Sequence, residues 1–328
     1  MKFDTAFWLW AIATSTLSVR TNAFVVTPPP PPVIVHRGIN RQLEETQKSH
    51  VQSHQQQQQQ PFSNVRPRTP TVLFMGWGPD PIWSTATVTS NTKACLSGAS
   101  VTLQVRVPPE TAAEYTTPGQ YVQIRPIHTN TNDDTIKPLF LAIASPPNPE
   151  NAVMEFLVKK TNGNEWLTSI EANTDIELSQ ILGNGFAMHE NLEGFKYDFP
   201  TQNVLLFAAG SGIAPIKAAM ESGALDVKKD GARTARLYYG ERTANDLCFM
   251  DKFAEWEASG FEVVPVLSQP DDAWQGRTGY VQTALEEDGI AIPRNSGALL
   301  CGMKGMTEAI KDLLLKAGVF DGRVLFNF

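Results

Sequence analysis

Val204-Leu205-Leu206-Phe207-Ala208-Ala209-Gly210-Ser211-Gly212-Ile213-Ala214-Pro215 decides how the second half of this chain is built. Six apolar residues ending on glycine read as a buried strand, and Ile216-Lys217-Ala218-Ala219-Met220 continues as a helix. Glycines at such a strand end let the backbone approach a phosphate. The following helix N-terminus supplies free N–H groups and the positive end of its dipole. Pro215 suits the first helical turn, where its missing donor costs little. Gly210, Gly212, Ile213 and Pro215 are therefore candidate ligand-binding residues. Pro215 stands where the third glycine of a GxGxxG fingerprint would be, so the turn alone does not establish nucleotide binding.

Working downstream, three more apolar strands end on chemically distinctive residues. Ala235-Arg236-Leu237-Tyr238-Tyr239 runs into Gly240-Glu241-Arg242-Thr243 and a helix around residues 249–258. Phe261-Glu262-Val263-Val264-Pro265-Val266-Leu267-Ser268 leads to Arg277 and Gly279-Tyr280-Val281-Gln282. Ala298-Leu299-Leu300 leads to Cys301-Gly302-Met303-Lys304-Gly305-Met306 and a helix over Thr307–Ala317. Open α/β sheets bind ligands at the carboxyl ends of their strands, so Gly240, Arg242, Ser268, Arg277, Tyr280, Cys301, Gly302 and Met306 join the candidates. For Arg242 and Arg277 a solvated loop charge is the plain alternative, and for Cys301 a small buried hydrophobe.

Working upstream, residues 76–198 show short alternating runs separated by Pro, Gly, Asn and Asp. Ser100-Val101-Thr102-Leu103-Gln104-Val105-Arg106-Val107 and Val153-Met154-Glu155-Phe156-Leu157-Val158 are two of them. That spacing predicts a sandwich or small barrel. Pro118-Gly119-Gln120-Tyr121 feeds one strand, and Lys137-Pro138-Leu139-Phe140-Leu141-Ala142-Ile143-Ala144-Ser145 forms another. Gly163-Asn164-Glu165-Trp166-Leu167-Thr168 reads as a glycine turn opening a short helix. It is either a pyrophosphate cradle or an ordinary capped helix. Gly183-Asn184-Gly185-Phe186 closes the region.

The front of the chain reads as an address. Lys2, the apolar run Ala6-Phe7-Trp8-Leu9-Trp10-Ala11-Ile12-Ala13 and the small residue Ala23 predict a signal peptide over residues 1–23. Its apolar run is far shorter than the ~20 residues of a membrane span, so no span is expected in the mature protein. Residues 24–75 hold five consecutive prolines (Pro28–Pro32) and a glutamine run (Gln55–Gln60), and cannot build a core. Residues 1–75 carry a net charge of +4, which leaves −11 of the chain's −7 total on the remainder. That acidic body argues against nucleic-acid binding. The leader resembles the bipartite plastid-targeting segments of algae with secondary plastids. Secretion with a disordered propeptide is the alternative. Three widely spaced cysteines among 328 residues form no CxxC pair, which fits a reducing compartment and predicts no metal site.

Taken in order, these motifs resemble the ferredoxin–NADP reductase superfamily over roughly residues 80–328. The resemblance implies a β-barrel plus α/β architecture: a six-stranded antiparallel barrel holding FAD, followed by a five-stranded parallel sheet holding NADP or NAD. By that resemblance Tyr121, Lys137, Leu141, Ala142, Ile143, Ala144, Ser145, Gly163, Thr168, Gly183 and Gly185 belong to the flavin side. Gly210, Gly212, Ile213, Pro215, Gly240, Arg242, Ser268, Arg277, Tyr280, Gly302 and Met306 belong to the nucleotide side. Cys301 is implied beside the nicotinamide, and Phe328, or Phe326 two residues earlier, as an aromatic cover on the flavin ring.

One departure stands out. The family's Arg-x-Tyr-Ser/Thr signature aligns with Leu139, Leu141 and Ala142, which removes a cation, an aromatic and a hydroxyl. Losing one charge-assisted contact costs about 1.5–3 kcal/mol, with Lys137 and Phe140 as substitutes nearby. Gln269 also replaces an arginine after Ser268, which leaves NADP against NAD open. The resemblance implies an oxidoreductase passing electrons from NAD(P)H through FAD to a separate protein, quinone or small-molecule acceptor. The competing reading is a nucleotide-binding sensor or assembly factor whose flavin site has decayed.

Overall fold

The computed structural model describes residues 80–127, 137–194, 196 and 199–327. The leader segments and Phe328 lie outside the described residues. The barrel comprises β1 (Trp83–Lys93), β2 (Ser100–Arg106), α1 (Pro109–Glu114), β3 (Tyr121–Pro126), β4 (Leu139–Ala142), β5 (Val153–Lys159), α2 (Glu165–Thr168) and β6 (Thr174–Ser179). Its strands lie in the order β4-β3-β6-β1-β2-β5, every pair antiparallel. The end strands approach each other through an Ile143–Phe156 bridge, and the Ala144 N–H donates to Glu155 O at 2.8 Å. The sheet thereby nearly closes, which leaves little of its edges exposed.

Alternation explains the barrel. Along β2, Val101, Leu103 and Val105 point inward while Thr102 and Gln104 do not. They meet Val88, Val122, Ile124, Phe156 and Leu178 in one core.

After α3 (Met188–Leu192) the chain builds β7 (Asn203–Ala209), α4 (Ile213–Glu221), β8 (Thr234–Glu241), α5 (Phe253–Ala258), β9 (Phe261–Leu267) and β10 (Arg277–Thr278). It finishes with α6 (Val281–Asp288), β11 (Ser296–Cys301), α7 (Lys304–Ala317) and β12 (Val324–Phe326). The sheet order is β10-β9-β8-β7-β11-β12, all parallel. It has six strands rather than the expected five. The extra strand, β10, is two residues long, too short to show a hydrophobic pattern. Helix α7 also starts three residues earlier than its periodicity suggests, inside the Cys301–Met306 motif.

Helices cover both sheet faces, so β7 and β11 read as unbroken apolar runs. One face packs Leu206, Leu237, Ile216 and Trp256; the other packs Phe207, Tyr238, Leu285 and Ile310. The first cluster continues into the barrel through Ala144, Leu157 and Phe186, so the two domains share a core. Strand order reverses between β7 and β11, and the carboxyl ends of that pair form the crevice where such sheets take ligands.

Candidate functional site

At that crevice the turn from β7 packs directly on the end of β11. Gly210 has φ +57°, a left-handed conformation that costs a residue with a β-carbon about 1–2 kcal/mol. Gly212 has an ordinary φ, yet a β-carbon there would sit 2.2 Å from the Cys301 carbonyl oxygen. Phosphate approach was the expected reason for both glycines. For Gly212 the structure supplies another, the close contact of two strand ends. Pro215 sits in the first turn of α4, as expected.

Two cavities flank this contact. The first, of about 380 Å³, lies between the domains. Tyr121, Phe140, Leu141, Ala142 and Leu157 line its barrel side; Ser211, Gly212, Ala214, Pro215, Cys301 and Asn327 line the other. The second, of about 570 Å³, runs along the strand ends of the sheet. Gly210, Gly240, Arg242, Ser268, Tyr280, Gly302 and Met306 line it, as the sequence suggests. Both cavities touch Ser211, so they meet at the glycine turn. Both volumes fall in the range of about 300–1,000 Å³ typical of small-ligand sites.

Other candidates lie elsewhere. Ile143 and Ala144 are buried in the cores, and Ile213, the first residue of α4, is buried in the core the domains share. Ser145 Oγ accepts from the Glu155 N–H at 3.1 Å, and Ser145 O accepts from Tyr115 Oη at 2.8 Å. The Gly163 N–H donates to Glu165 Oε2 at 2.7 Å, and Thr168 lies buried in α2. Lys137 is exposed ahead of β4. Gly183 and Gly185 hold left-handed turns against Tyr121 and Pro118. Arg277 reaches Glu287 at 2.6 Å and also Asp288, both on α6, and does not line the second cavity. Phe326 packs on the α7 side, with Lys311 Nζ 5.9 Å from its ring centroid.

Several lining residues escaped the sequence reading: Leu157, Lys159, Ser211, Glu241, Met303 and Asn327. Lys159 ends a barrel strand yet reaches the second cavity. Its Nζ and Glu241 Oε1 would each lie 3.9 Å from a β-carbon on Gly210. Burial raises the Glu241 carboxyl above its ordinary range, with the nearby Lys159 charge partly opposing. Cys301 is 8% exposed, and burial pushes its thiol up to about 12. Burial therefore keeps it a neutral thiol at working pH. Tyr121 and Phe140 hold their rings 6.1 Å apart at the cavity wall, with Phe140 64% exposed.

Residues 206–312 match the family model described as an oxidoreductase NAD-binding domain. The chain is 36% identical over 222 residues to the fruit protein pKIWI502 of Actinidia deliciosa, covering 66% of this chain and 68% of that protein. A chloroplastic leaf ferredoxin–NADP reductase of Oryza sativa subsp. indica is 24% identical over 48% of this chain, which spans 44% of that enzyme. A ferredoxin NADP+ reductase from Neisseria gonorrhoeae, solved with FAD and NADP bound, superposes with TM-score 0.60. That match has 15% identity and covers 74% of this chain and 97% of the other. The chain belongs to the ferredoxin–NADP reductase superfamily. The superfamily's two-domain arrangement is the one described above, a barrel followed by a parallel sheet with the cleft between them.

Proposed function

We propose that this chain is a flavin-dependent oxidoreductase that moves electrons between NAD(P)H and a separate acceptor through FAD. The observation that carries this reading is the meeting of two cavities at Ser211, with Cys301 between a barrel wall and a glycine turn. FAD, when bound, supplies the capacity to take a hydride and hand electrons on. The first cavity suits its ring: Tyr121 and Phe140 supply aromatic surface, and Leu141, Ala142 and Leu157 exclude water. The second suits the nicotinamide nucleotide. There Gly210 lets backbone approach the phosphates, Lys159 and Arg242 offer positive charge, and exposed Tyr280 offers a flat surface. Cys301 and Gly212 fix the spacing where the two ligands would meet.

The acceptor is a separate protein, quinone or small molecule. The test of cofactor identity is release: heat-denatured protein should yield FAD in a ratio near one per chain. Protein that releases no flavin would support the second reading, a nucleotide-binding sensor on the same fold. That reading draws on Leu139, Leu141 and Ala142, which are aliphatic at the places where the family carries a cation, an aromatic and a hydroxyl.

Residues 1–23 are proposed as a signal peptide and 24–75 as a transit segment leading to a secondary plastid, with secretion as the alternative. N-terminal sequencing of native protein should find a start beyond Ala23. Retention of Met1 would contradict this.

A further inference from the structure

Asn327 is a polar residue in an apolar place. It follows β12, is 6% exposed, and lines the first cavity opposite Leu141 and Ala142. Its Oδ1 is sealed from solvent with no hydrogen-bond partner. Two barrel turns grip the chain here. A β-carbon on Gly119 would lie 3.0 Å from Asn327 Cβ, and one on Gly183 would lie 3.7 Å from Asn327 O. Both glycines are left-handed, at φ +96° and +77°. The glycine turns therefore make room for Asn327 and leave its backbone little freedom to swing the amide toward water. Buried amide oxygens are almost always paired, and an unpaired one destabilises the fold it sits in.

We propose that Asn327 is a flavin-binding residue whose side-chain amide hydrogen-bonds a polar atom of the isoalloxazine ring filling the first cavity. The inference rests on the reading that this cavity takes FAD. A primary amide carries both donor and acceptor, and the heteroatom edge of a flavin ring displays both. Leu141 and Ala142 offer no side-chain polar group on the strand opposite, and among the lining residues Asn327 carries the one amide, beside the hydroxyls of Tyr121 and Ser211. Asn327 also joins the domains: it follows the last strand of the parallel sheet, and its Cβ and backbone oxygen pack near two glycine turns of the barrel.

The test uses the full chain stripped of flavin, titrated with FAD and followed by flavin fluorescence, with melting temperatures measured in parallel. Asn327→Leu should weaken FAD binding about tenfold, one lost hydrogen bond's worth. The flavin-free variant should melt no lower than the flavin-free parent, because an unpaired buried oxygen has gone. Equal FAD affinity, or a fall in affinity matched by a fall in the flavin-free melting temperature, overturns the proposal. Asn327→Asp keeps the shape and adds negative charge, so it should shift the visible spectrum of bound flavin and lower its reduction potential. An unchanged spectrum and potential overturn the proposal as well. A parent chain that takes up no FAD overturns the cavity reading together with this inference. FAD uptake with both variants unchanged overturns the inference alone.

Discussion

Lys217 of α4 and Glu155 of β5 form an ion pair at 3.0 Å across the seam between the two domains. Lys217 is 5% exposed, and its Nζ also meets Glu221 Oε2 at 2.8 Å and Ala144 O at 3.3 Å. Glu155 in turn accepts from Gln104 Nε2 at 2.7 Å. The helix that follows the glycine turn is thereby tied to the strand pair that closes the barrel.

Lys217→Met should lower stability by about 1–3 kcal/mol, because it strands a mostly buried carboxylate that keeps only its Gln104 hydrogen bond. Adding Glu155→Gln should recover part of that loss, since the uncompensated charge is removed. Chemical denaturation of the single and double variants checks this. A double variant as unstable as the two single losses combined would show that the residues do not act as a pair.

The two glycines of the turn should fail differently. Gly212→Ala places a β-carbon against a backbone carbonyl that cannot move alone, and should cost more than about 2 kcal/mol. Gly210→Ala meets only backbone strain of about 1–2 kcal/mol. It should keep the fold while weakening nucleotide binding in the second cavity. Melting temperatures and nucleotide titrations separate the two, and equal losses at both positions would contradict the assignment.

Glu241 gives a pH dependence with a definite sign. Its carboxyl is raised by burial, with Asp246 adding to the rise; Lys159, the Arg242 N–H and the Tyr239 hydroxyl oppose it. A raised acid is comfortable neutral and strained when ionised, so its own contribution to stability is present at low pH and lost as pH rises through its folded value. An ionised Glu241 also repels phosphates entering the second cavity. Nucleotide affinity should therefore strengthen as pH falls from neutral toward the carboxylate range. Glu241→Gln should bind more tightly at neutral pH and lose most of that slope. Parallel slopes in variant and parent would place the titration elsewhere.

Cys301→Ser should slow flavin reduction at saturating NAD(P)H by more than about tenfold, because small misplacements at a reacting centre carry large rate penalties. Nucleotide affinity should change little. No thiol titration should appear below pH 10, given the buried, neutral thiol. An unchanged rate in stopped-flow reduction would make Cys301 a packing residue only.

The sheet was legible because its strands are mostly apolar and run into a glycine or a reactive residue. Alternation likewise showed β2 and β5. Strand β10 was invisible because two residues carry no period, and α1 lies in Pro109–Glu114, where no amphipathic repeat can develop. Lys159 and Glu241 were missed for another reason. Each looks like an ordinary charge at a strand end, and only the folding of the barrel against the sheet brings both to Gly210. Arg277 shows the converse: its place in the chain suggested a ligand contact, while α6 supplies two carboxylates that hold it. Asn327 gave no signal at all, since a penultimate asparagine becomes notable only once its burial is known.

Electrons should pass from a nicotinamide nucleotide to a flavin across the Cys301–Gly212 contact, and anaerobic titration of the purified full chain shows whether they do. The protein should carry visible flavin absorbance that bleaches on adding about one equivalent of NADPH or NADH. A colourless protein, or a bound flavin that stays oxidised under both nucleotides, would contradict it.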